Sequence, residues 1–151
     1  MKKFNKIIFP LGILFMFAWM SCKTDKINGI AEPVKDITGS WKIVKATRNG
    51  TDLFSLLDTN YYNLNKFRVD FNEGKYTLVN PLPFIVSENG TYALDNPQFP
   101  FKITFTQTTG STTPVSTAFT YPIVNGVRTL TLVFSPGCPE NTYSYTLVKV
   151  N

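Results

Sequence analysis

Hydrophobic and polar residues alternate along most of the chain after residue 36, and this period of two predicts β-strands. In the clearest run, Lys66 to Phe71, the residues Phe67, Val69 and Phe71 share one face and charged residues occupy the other. Short runs of this kind, separated by turn residues, are typical of all-β barrels and sandwiches. The predicted strands span residues 37–48, 66–71, 75–79, 89–94, 101–106, 115–124, 127–134 and 142–150.

Turn signals and one exception interrupt the alternation. Asn125-Gly126 stands between two alternating runs and predicts a tight hairpin, because both residues tolerate the positive φ of a type I′ turn. In residues 51–58, Leu53, Phe54 and Leu57 instead form a short apolar stripe with helical spacing. We expect one short helix there, either as a plug over one end of a barrel or as a lid that admits a ligand.

The interior of such a barrel is expected to be aromatic, because 15% of the residues are Phe, Trp or Tyr. These rings either fill the barrel or leave space for one small ligand. Two proline-containing loops also carry apolar residues, Leu82 and Phe84 in one and Phe99 in the other. We expect these loops to be exposed and able to contact a ligand or a partner. The side chains expected to point inward are Trp41, Phe67, Phe71, Tyr76, Tyr92, Phe101, Phe105, Phe119, Tyr121 and Tyr145.

Residues 1–21 differ from the rest of the chain and predict a signal peptide. Met1 to Lys6 carries three lysines, residues 7–20 are apolar, and Ser21 precedes Cys22. The apolar run is shorter than the ~20 residues that a membrane-spanning helix needs. Ser21-Cys22 followed by polar residues resembles the lipobox of bacterial lipoproteins. The resemblance implies that Cys22 becomes an acylated, palmitate-bearing N-terminus; an uncleaved membrane anchor and a disulfide at Cys22 are the alternatives.

Residues 22–36 are predicted to form a flexible tether, and residues 37–151 the folded domain. The tether is dominated by polar residues, glycine and proline, which bury too little apolar surface to offset the entropy of ordering. If Cys22 is acylated, Cys138 has no disulfide partner within the chain, which holds two cysteines. An inert thiol, an intermolecular disulfide and a catalytic thiolate are the three interpretations of Cys138.

Charge and residue content argue against several functional classes. Lys2, Lys3 and Lys6 supply three of the 15 basic residues, so the remaining 12 basic and 10 acidic residues leave a net charge of +2. No cluster of Lys or Arg remains that could follow a nucleic-acid backbone. The chain lacks histidine, which removes Ser-His-Asp and Cys-His catalysis and His-ligated metal sites. We therefore expect no enzyme, no cofactor and no nucleic-acid partner.

The folded part resembles the lipocalin-like domains of uncharacterised lipoproteins from Bacteroidota. The Gly39-Ser40-Trp41 segment is shared with lipocalins at large, in which the tryptophan packs at the closed end of the barrel under a basic residue from a late strand. The resemblance therefore implies a structural role for Gly39 and Trp41, with Lys149 as the basic residue. The segments that carry it are residues 37–42, 49–53, 67–76 and 132–138.

The expected fold is thus an antiparallel, lipocalin-like up-and-down barrel of about eight strands with one short helix after the first strand, with a β-sandwich as the alternative. The expected protein is a lipid-anchored component of the bacterial envelope, at the periplasmic face or the surface of the outer membrane. It would be a non-catalytic binding module for a small apolar or glycan ligand. The alternatives are an accessory subunit of an outer-membrane complex, with a filled barrel and a protein partner, and, as the least favoured, an enzyme.

Overall fold

The computed structural model describes residues 32–58, 60–63 and 65–150. The predicted signal peptide and Cys22 lie outside the described residues. The regular secondary structure of the described part is β-strand, apart from a single 3₁₀ turn at Phe54–Leu56. The strands are β1 (Gly39–Arg48), β2 (Thr51–Asp52), β3 (Arg68–Asn72), β4 (Lys75–Val79), β5 (Gly90–Leu94), β6 (Lys102–Gln107), β7 (Val115–Thr120), β8 (Ile123–Val124), β9 (Val127–Phe134) and β10 (Tyr143–Lys149).

Eight of these strands form a closed antiparallel barrel in the order β1-β3-β4-β5-β6-β7-β9-β10. Each pairs with the next of the eight along the chain, and β10 closes the ladder by pairing with both β9 and β1. The two-residue strands β2 and β8 are side branches that pair with β1 and β9. The prediction of an all-β up-and-down barrel is confirmed, and the sandwich alternative is wrong because a single ladder surrounds one core.

The turn chemistry explains where the strands reverse. Asn125 and Gly126 have φ values of 51° and 77°, as the predicted type I′ turn requires, and they join β8 to β9. The predicted strand 115–124 is divided at Pro122, which has no backbone N–H for the ladder. The carbonyl oxygen of Pro122 instead accepts a hydrogen bond from the Thr129 N–H at 2.9 Å.

The predicted helix over residues 51–58 is wrong. Thr51 and Asp52 turn back to pair with the end of β1, which leaves only three residues, Phe54–Leu56, in a 3₁₀ turn. The Asp52 carboxylate accepts the Phe54 N–H at 3.1 Å, and Leu57 is already extended at ψ 134°. Local bonding by the aspartate therefore competes with continued helix formation.

The core occupies the inside of the barrel, and most of the predicted inward-facing residues are in it. Phe101 is the clear exception, because its side chain is 73% exposed. The N–H groups of Phe101 and Lys102 both donate to the Asp95 carboxylate at 3.0 Å, which fixes the backbone at the start of β6 with the ring outside. The largest fully buried side chains are Trp41, Tyr76, Phe67, Phe71, Phe105, Phe119, Ile37, Ile103, Leu130, Leu132, Leu147 and Val69.

The antiparallel order gives the barrel two ends, each named here after one residue. The Trp41 end comprises the start of β1, the β5–β6 loop and the β8–β9 hairpin. The Phe84 end comprises the end of β1 and the β4–β5, β6–β7 and β9–β10 loops. No helix within the described residues combines the length and the apolar character that crossing a membrane requires.

Candidate functional site

Trp41 seals its end of the barrel with help from the residues that precede β1. Its side chain is fully buried, and its indole N–H donates to the carbonyl oxygen of Ile37 at 2.7 Å. Ile37 is itself 1% exposed, so the chain enters the barrel by crossing over this end. The buried indole thus keeps the hydrogen bond that its N–H needs.

The last residues of the predicted tether are bonded to the barrel. The Lys35 N–H donates to the Pro97 carbonyl at 2.7 Å, and the Tyr121 hydroxyl donates to the Asp36 carbonyl at 2.9 Å. Hydrogen bonds from the Thr38 side chain and N–H lower the pKa of the Asp36 carboxyl below its usual value, with a smaller contribution from the charge of Lys149. The ordered domain therefore begins a few residues before β1.

Gly39 and Lys149, the glycine and the basic residue that the lipocalin resemblance names, meet at this end. Lys149 lies opposite Trp41 in the β1–β10 register, and its side chain runs across Gly39. A Cβ at Gly39 would stand 2.6 Å from the Lys149 Cε, and the φ of 127° is one that other residues rarely adopt. Gly39 gives the lysine room to cross the strand.

Arg128 lies over Tyr121, the aromatic neighbour of Trp41. Its guanidinium lies 4.6 Å from the centre of the Tyr121 ring and donates to the Tyr121 carbonyl at 3.0 Å. Tyr121 in turn packs against Trp41, with ring centres 6.0 Å apart. The sequence analysis missed Arg128; the available signal was its place directly after the Asn-Gly hairpin turn, beside the end of β7.

At the opposite end, the β4–β5 loop folds into the barrel mouth, which corrects the expectation that it is an exposed apolar tip. Leu82 is 6% exposed. The Phe84 ring lies 5.5 Å from Phe67, 5.0 Å from Tyr145 and 6.4 Å from Phe105 between ring centres. Proline keeps this loop out of the sheet, as the sequence predicts, but its apolar residues face inward because the open mouth of the barrel offers them burial.

Gln107 at the end of β6 holds this loop in place. Its side-chain oxygen accepts from the Ser87 N–H and hydroxyl at 3.0 Å each and from the Glu88 N–H at 2.8 Å. Its side-chain nitrogen donates to the Ser111 carbonyl in the β6–β7 loop at 2.9 Å. Gln107 is 7% exposed, so one buried amide ties two loops to one strand. No sequence signal distinguishes it from the many other polar residues of the chain.

Two tyrosines, Tyr76 and Tyr145, lie inside the barrel among the aromatic residues of the core. The hydroxyl oxygen of Tyr76 is buried and has no hydrogen-bond partner among the described residues. Burial raises the pKa of Tyr76 to about 12, and the negative charge of Glu88 adds to this shift. Burial likewise raises the pKa of Tyr145 to about 12. Both phenols therefore remain protonated at neutral pH, and Tyr76 holds an unused donor inside the barrel.

Phe99 lies at the Trp41 end, far from the two residues with which the sequence analysis grouped it. Its side chain is 55% exposed on the β5–β6 loop. The three residues predicted to contact a ligand or partner, Leu82, Phe84 and Phe99, are thus divided between the two ends. Only Phe99 presents a largely exposed ring.

A cleft of about 520 Å³ opens in the barrel wall where β1 and β3 diverge. Lys42 and Arg68 face each other there across the strand pair. Two cations beside an apolar wall suit a negatively charged group attached to an apolar part. The residues that line the cleft are Lys42, Ile43, Val44, Phe54, Asn65 and Arg68.

The described residues hold no group of three or more His, Cys, Asp or Glu side chains positioned to bind a metal ion. Cys138 is a free thiol, exposed in the β9–β10 loop. The Ser135 hydroxyl donates to the Cys138 carbonyl at 2.6 Å, which stabilises the loop without engaging the sulfur.

The comparisons with known proteins give one match. A family model described as a domain of unknown function (DUF5004) matches residues 19–148, which cover the whole barrel except the last residue of β10. Comparison with curated proteins and with solved structures finds no match.

Proposed function

Since the chain belongs to the DUF5004 family, we propose that it is a lipid-anchored protein of the bacterial envelope whose filled barrel serves as a non-catalytic interaction module. We further propose that the domain is lipocalin-like and related to the lipoproteins of Bacteroidota. Support for this class comes from the Gly39-Ser40-Trp41 segment, which lies at a closed end of an up-and-down barrel. Of the two binding roles that the sequence allows, the filled accessory module is the one favoured by the geometry.

The observation that carries the proposal is that the chain's own rings occupy the barrel interior. Phe84 supplies the last of them, and it meets Phe67, Phe105 and Tyr145 where a ligand of an open barrel would enter. The ring of Phe105 also meets Tyr76 at 5.1 Å and Phe71 at 6.4 Å. Because protein interiors are packed as densely as organic crystals, such a core leaves binding to the outer surface.

The lipid anchor depends on Cys22, so it has a direct test. Cells that express the full chain are given a labelled fatty acid, and incorporation into the protein is compared with that of Cys22→Ser. We expect the label on the parent chain and its loss from the variant, while Cys138→Ser retains it. Labelling of Cys22→Ser to the level of the parent would refute the anchor.

The filled barrel is tested separately by native mass spectrometry of the purified full chain. We expect the mass of the chain with its modification and no additional small molecule. Cross-linking in cells should then recover a second component of the envelope at surface positions. A small molecule that co-purifies in stoichiometric amount would overturn the filled-barrel proposal.

A carrier of one small apolar ligand is the second candidate, favoured by the unpartnered Tyr76 hydroxyl. A ligand that displaced Phe84 would enter an aromatic site next to Phe105, and the ring of Tyr76 lies on Phe105 at 5.1 Å, one ring further in. The site is more suited to an apolar molecule than to a glycan, since Phe67, Phe105 and Tyr145 surround it. We expect Phe84→Ala to increase binding of a fluorescent fatty acid, and Leu56→Ala, at a residue that is 69% exposed, to leave it unchanged. Equal binding by the two variants would exclude this candidate.

A further inference from the structure

The Trp41 end carries an unusual share of exposed apolar side chains. Ten large hydrophobic residues are exposed among the described residues, and six of them belong to this end. Phe101 is 73% exposed and Ile123 is 60% exposed, although both are of residue types that normally become buried. The six residues, called here the apolar rim, are Val34, Phe99, Phe101, Ile123, Val124 and Val127.

The strand order brings the members of the apolar rim close to one another. β7 separates β6 from β9, and the Phe119 N–H donates to the Phe101 carbonyl at 2.8 Å where β7 meets the start of β6. The β8–β9 hairpin, with Ile123 and Val127, begins just beyond the end of β7. Neighbouring strands are about 4.8 Å apart, so the hairpin and Phe101 lie on the same side of this end.

The same end receives the chain from its N-terminal side. Lys35 is bonded to Pro97 of the β5–β6 loop, two residues before Phe99. Cys22 and Pro33 are eleven residues apart in the sequence, a distance that a fully extended chain spans in at most about 38 Å. A lipid on Cys22 would thus attach the chain at the end that carries the apolar rim, and the Phe84 end lies about 20 Å further along the strands.

We propose that the apolar rim rests in the headgroup region of the membrane to which the protein is anchored, so that the Trp41 end faces the lipid and the Phe84 end faces away. This inference rests on the proposed lipid anchor. Isolated exposed valines need no explanation, but six large apolar residues at the end nearest the attachment point form an interface of the kind that lipid surfaces bind.

The charges around the rim predict that this contact is hydrophobic rather than electrostatic. Five basic and four acidic residues leave this end with a net charge of only +1, too little to draw anionic lipid headgroups strongly. Contact should therefore change little between zwitterionic and anionic vesicles. The charged residues at this end are Glu32, Lys35, Asp36, Glu73, Lys75, Asp95, Lys102, Arg128 and Lys149.

The test uses the full lipidated chain in phosphatidylcholine vesicles that contain brominated lipid, which quenches tryptophan fluorescence at short range. Phe99→Trp and Val124→Trp place a reporter on the rim, and Leu56→Trp places one on a distant exposed residue of 69% exposure. The unsubstituted protein supplies the baseline for the buried Trp41. We expect the rim reporters to be quenched about twofold or more above the Leu56→Trp control, with or without phosphatidylglycerol.

The outcomes separate the two proposals. Fatty-acid labelling with equal quenching at all three positions overturns the membrane-facing rim and leaves the anchor intact. Loss of the anchor, seen as absent labelling, overturns both. If the rim reporters are not quenched but a photo-cross-linker at position 99 captures another protein in cells, the rim is a protein interface and the lipid contact is refuted. Selective quenching at both rim positions supports the proposal.

Discussion

The two ends of the barrel are both closed, but by different physical means. At the Trp41 end, the main chain itself crosses the mouth, and it is bonded to Trp41, Pro97 and Tyr121. At the Phe84 end, a loop enters the mouth, and the bonds that hold it converge on Gln107. Closure at the first end is distributed over several elements, whereas closure at the second is supplied by one loop, whose Leu82, Phe84, Ile85 and Val86 pack into the barrel, and by the amide of Gln107.

This difference indicates which end of the barrel can open while the fold is retained. Distributed contacts couple the Trp41 end to global unfolding, because the segment before β1 cannot leave while the indole stays buried. A single loop that lies outside the ladder can detach while the ladder remains paired, since local opening costs less than global unfolding. The Phe84 end is therefore where a partner or ligand could remodel the protein.

The largest expected effect is at the Trp41 end. Trp41→Ala removes a fully buried indole and should lower the free energy of unfolding by about 3–5 kcal/mol, measured by urea denaturation. Trp41→Phe is the matched variant, and it should lose less because a ring remains. A loss below about 1 kcal/mol for Trp41→Ala would show that this end does not control stability.

The second-largest loss of unfolding free energy is expected on substitution of Phe84. Phe84→Ala should cost about 2 kcal/mol of unfolding free energy, less than a fully buried phenylalanine, because Phe84 is only half-buried. Phe99→Ala is the control from the other end, and it should change stability by no more than about 0.5 kcal/mol. Equal losses for the two variants would contradict the burial difference on which the comparison depends.

Gln107→Ala removes hydrogen bonds that hold the β4–β5 loop and leaves the Phe84 side chain unchanged. Three bonds to Ser87 and Glu88 are lost, so amide hydrogen exchange at these two residues should accelerate strongly. Global stability should fall by only about 1–2 kcal/mol. Thr106→Ala on the same strand is the control and should leave that exchange unchanged. Unaltered protection in Gln107→Ala would show that the loop is held by its apolar contacts alone.

Tyr76→Phe is expected to have the smallest effect, and it should increase the free energy of unfolding. Removal of an unpartnered buried hydroxyl should stabilise the fold by about 1 kcal/mol at pH 7. The pKa of Tyr76 is raised to about 12 in the folded chain, above the ordinary value of 10.0. The neutral hydroxyl therefore makes its full contribution to the free energy of unfolding below pH 10. That contribution is lost as the pH rises from 10 towards 12, because the unfolded chain ionises first.

The advantage of Tyr76→Phe should therefore widen between pH 7 and pH 11. Urea denaturation at the two pH values measures it. Tyr61→Phe, at a residue that is 84% exposed, should show no such widening. An advantage that stays constant over this range would mean that the Tyr76 hydroxyl titrates in the same way in the folded and unfolded chain.

Much of the barrel could be predicted because strand signals are local. The alternation of Phe67, Val69 and Phe71, and the Asn125-Gly126 turn, depend on residues next to one another in the sequence. The closed ladder follows from eight such runs in series. The prediction of a short helix was wrong because it rested on a local apolar stripe, which the pairing of Thr51–Asp52 with β1 overrides.

The arrangement of the two ends could not be read from the sequence. Phe84 and Phe99 both lie in proline-containing loops with similar neighbours, yet one is packed in the core and the other is largely exposed. The difference arises because the chain before β1 covers the Trp41 end, whereas the opposite mouth is filled by the loop that carries Phe84. Gln107 and Arg128 went unrecognised because their partners, Ser87, Ser111 and Tyr121, are known only once the strands are assembled.

The pairing of β1 with β10 has a consequence for how the chain reaches its fold. These strands make the seam of the barrel, from Trp41 opposite Lys149 to Arg48 opposite Tyr143, and they are separated by about a hundred residues of sequence. The seam cannot form until the final strand has been synthesised, and contacts between such distant residues form slowly. Until then β1 lacks its β10 partner, and the barrel stays open along this seam.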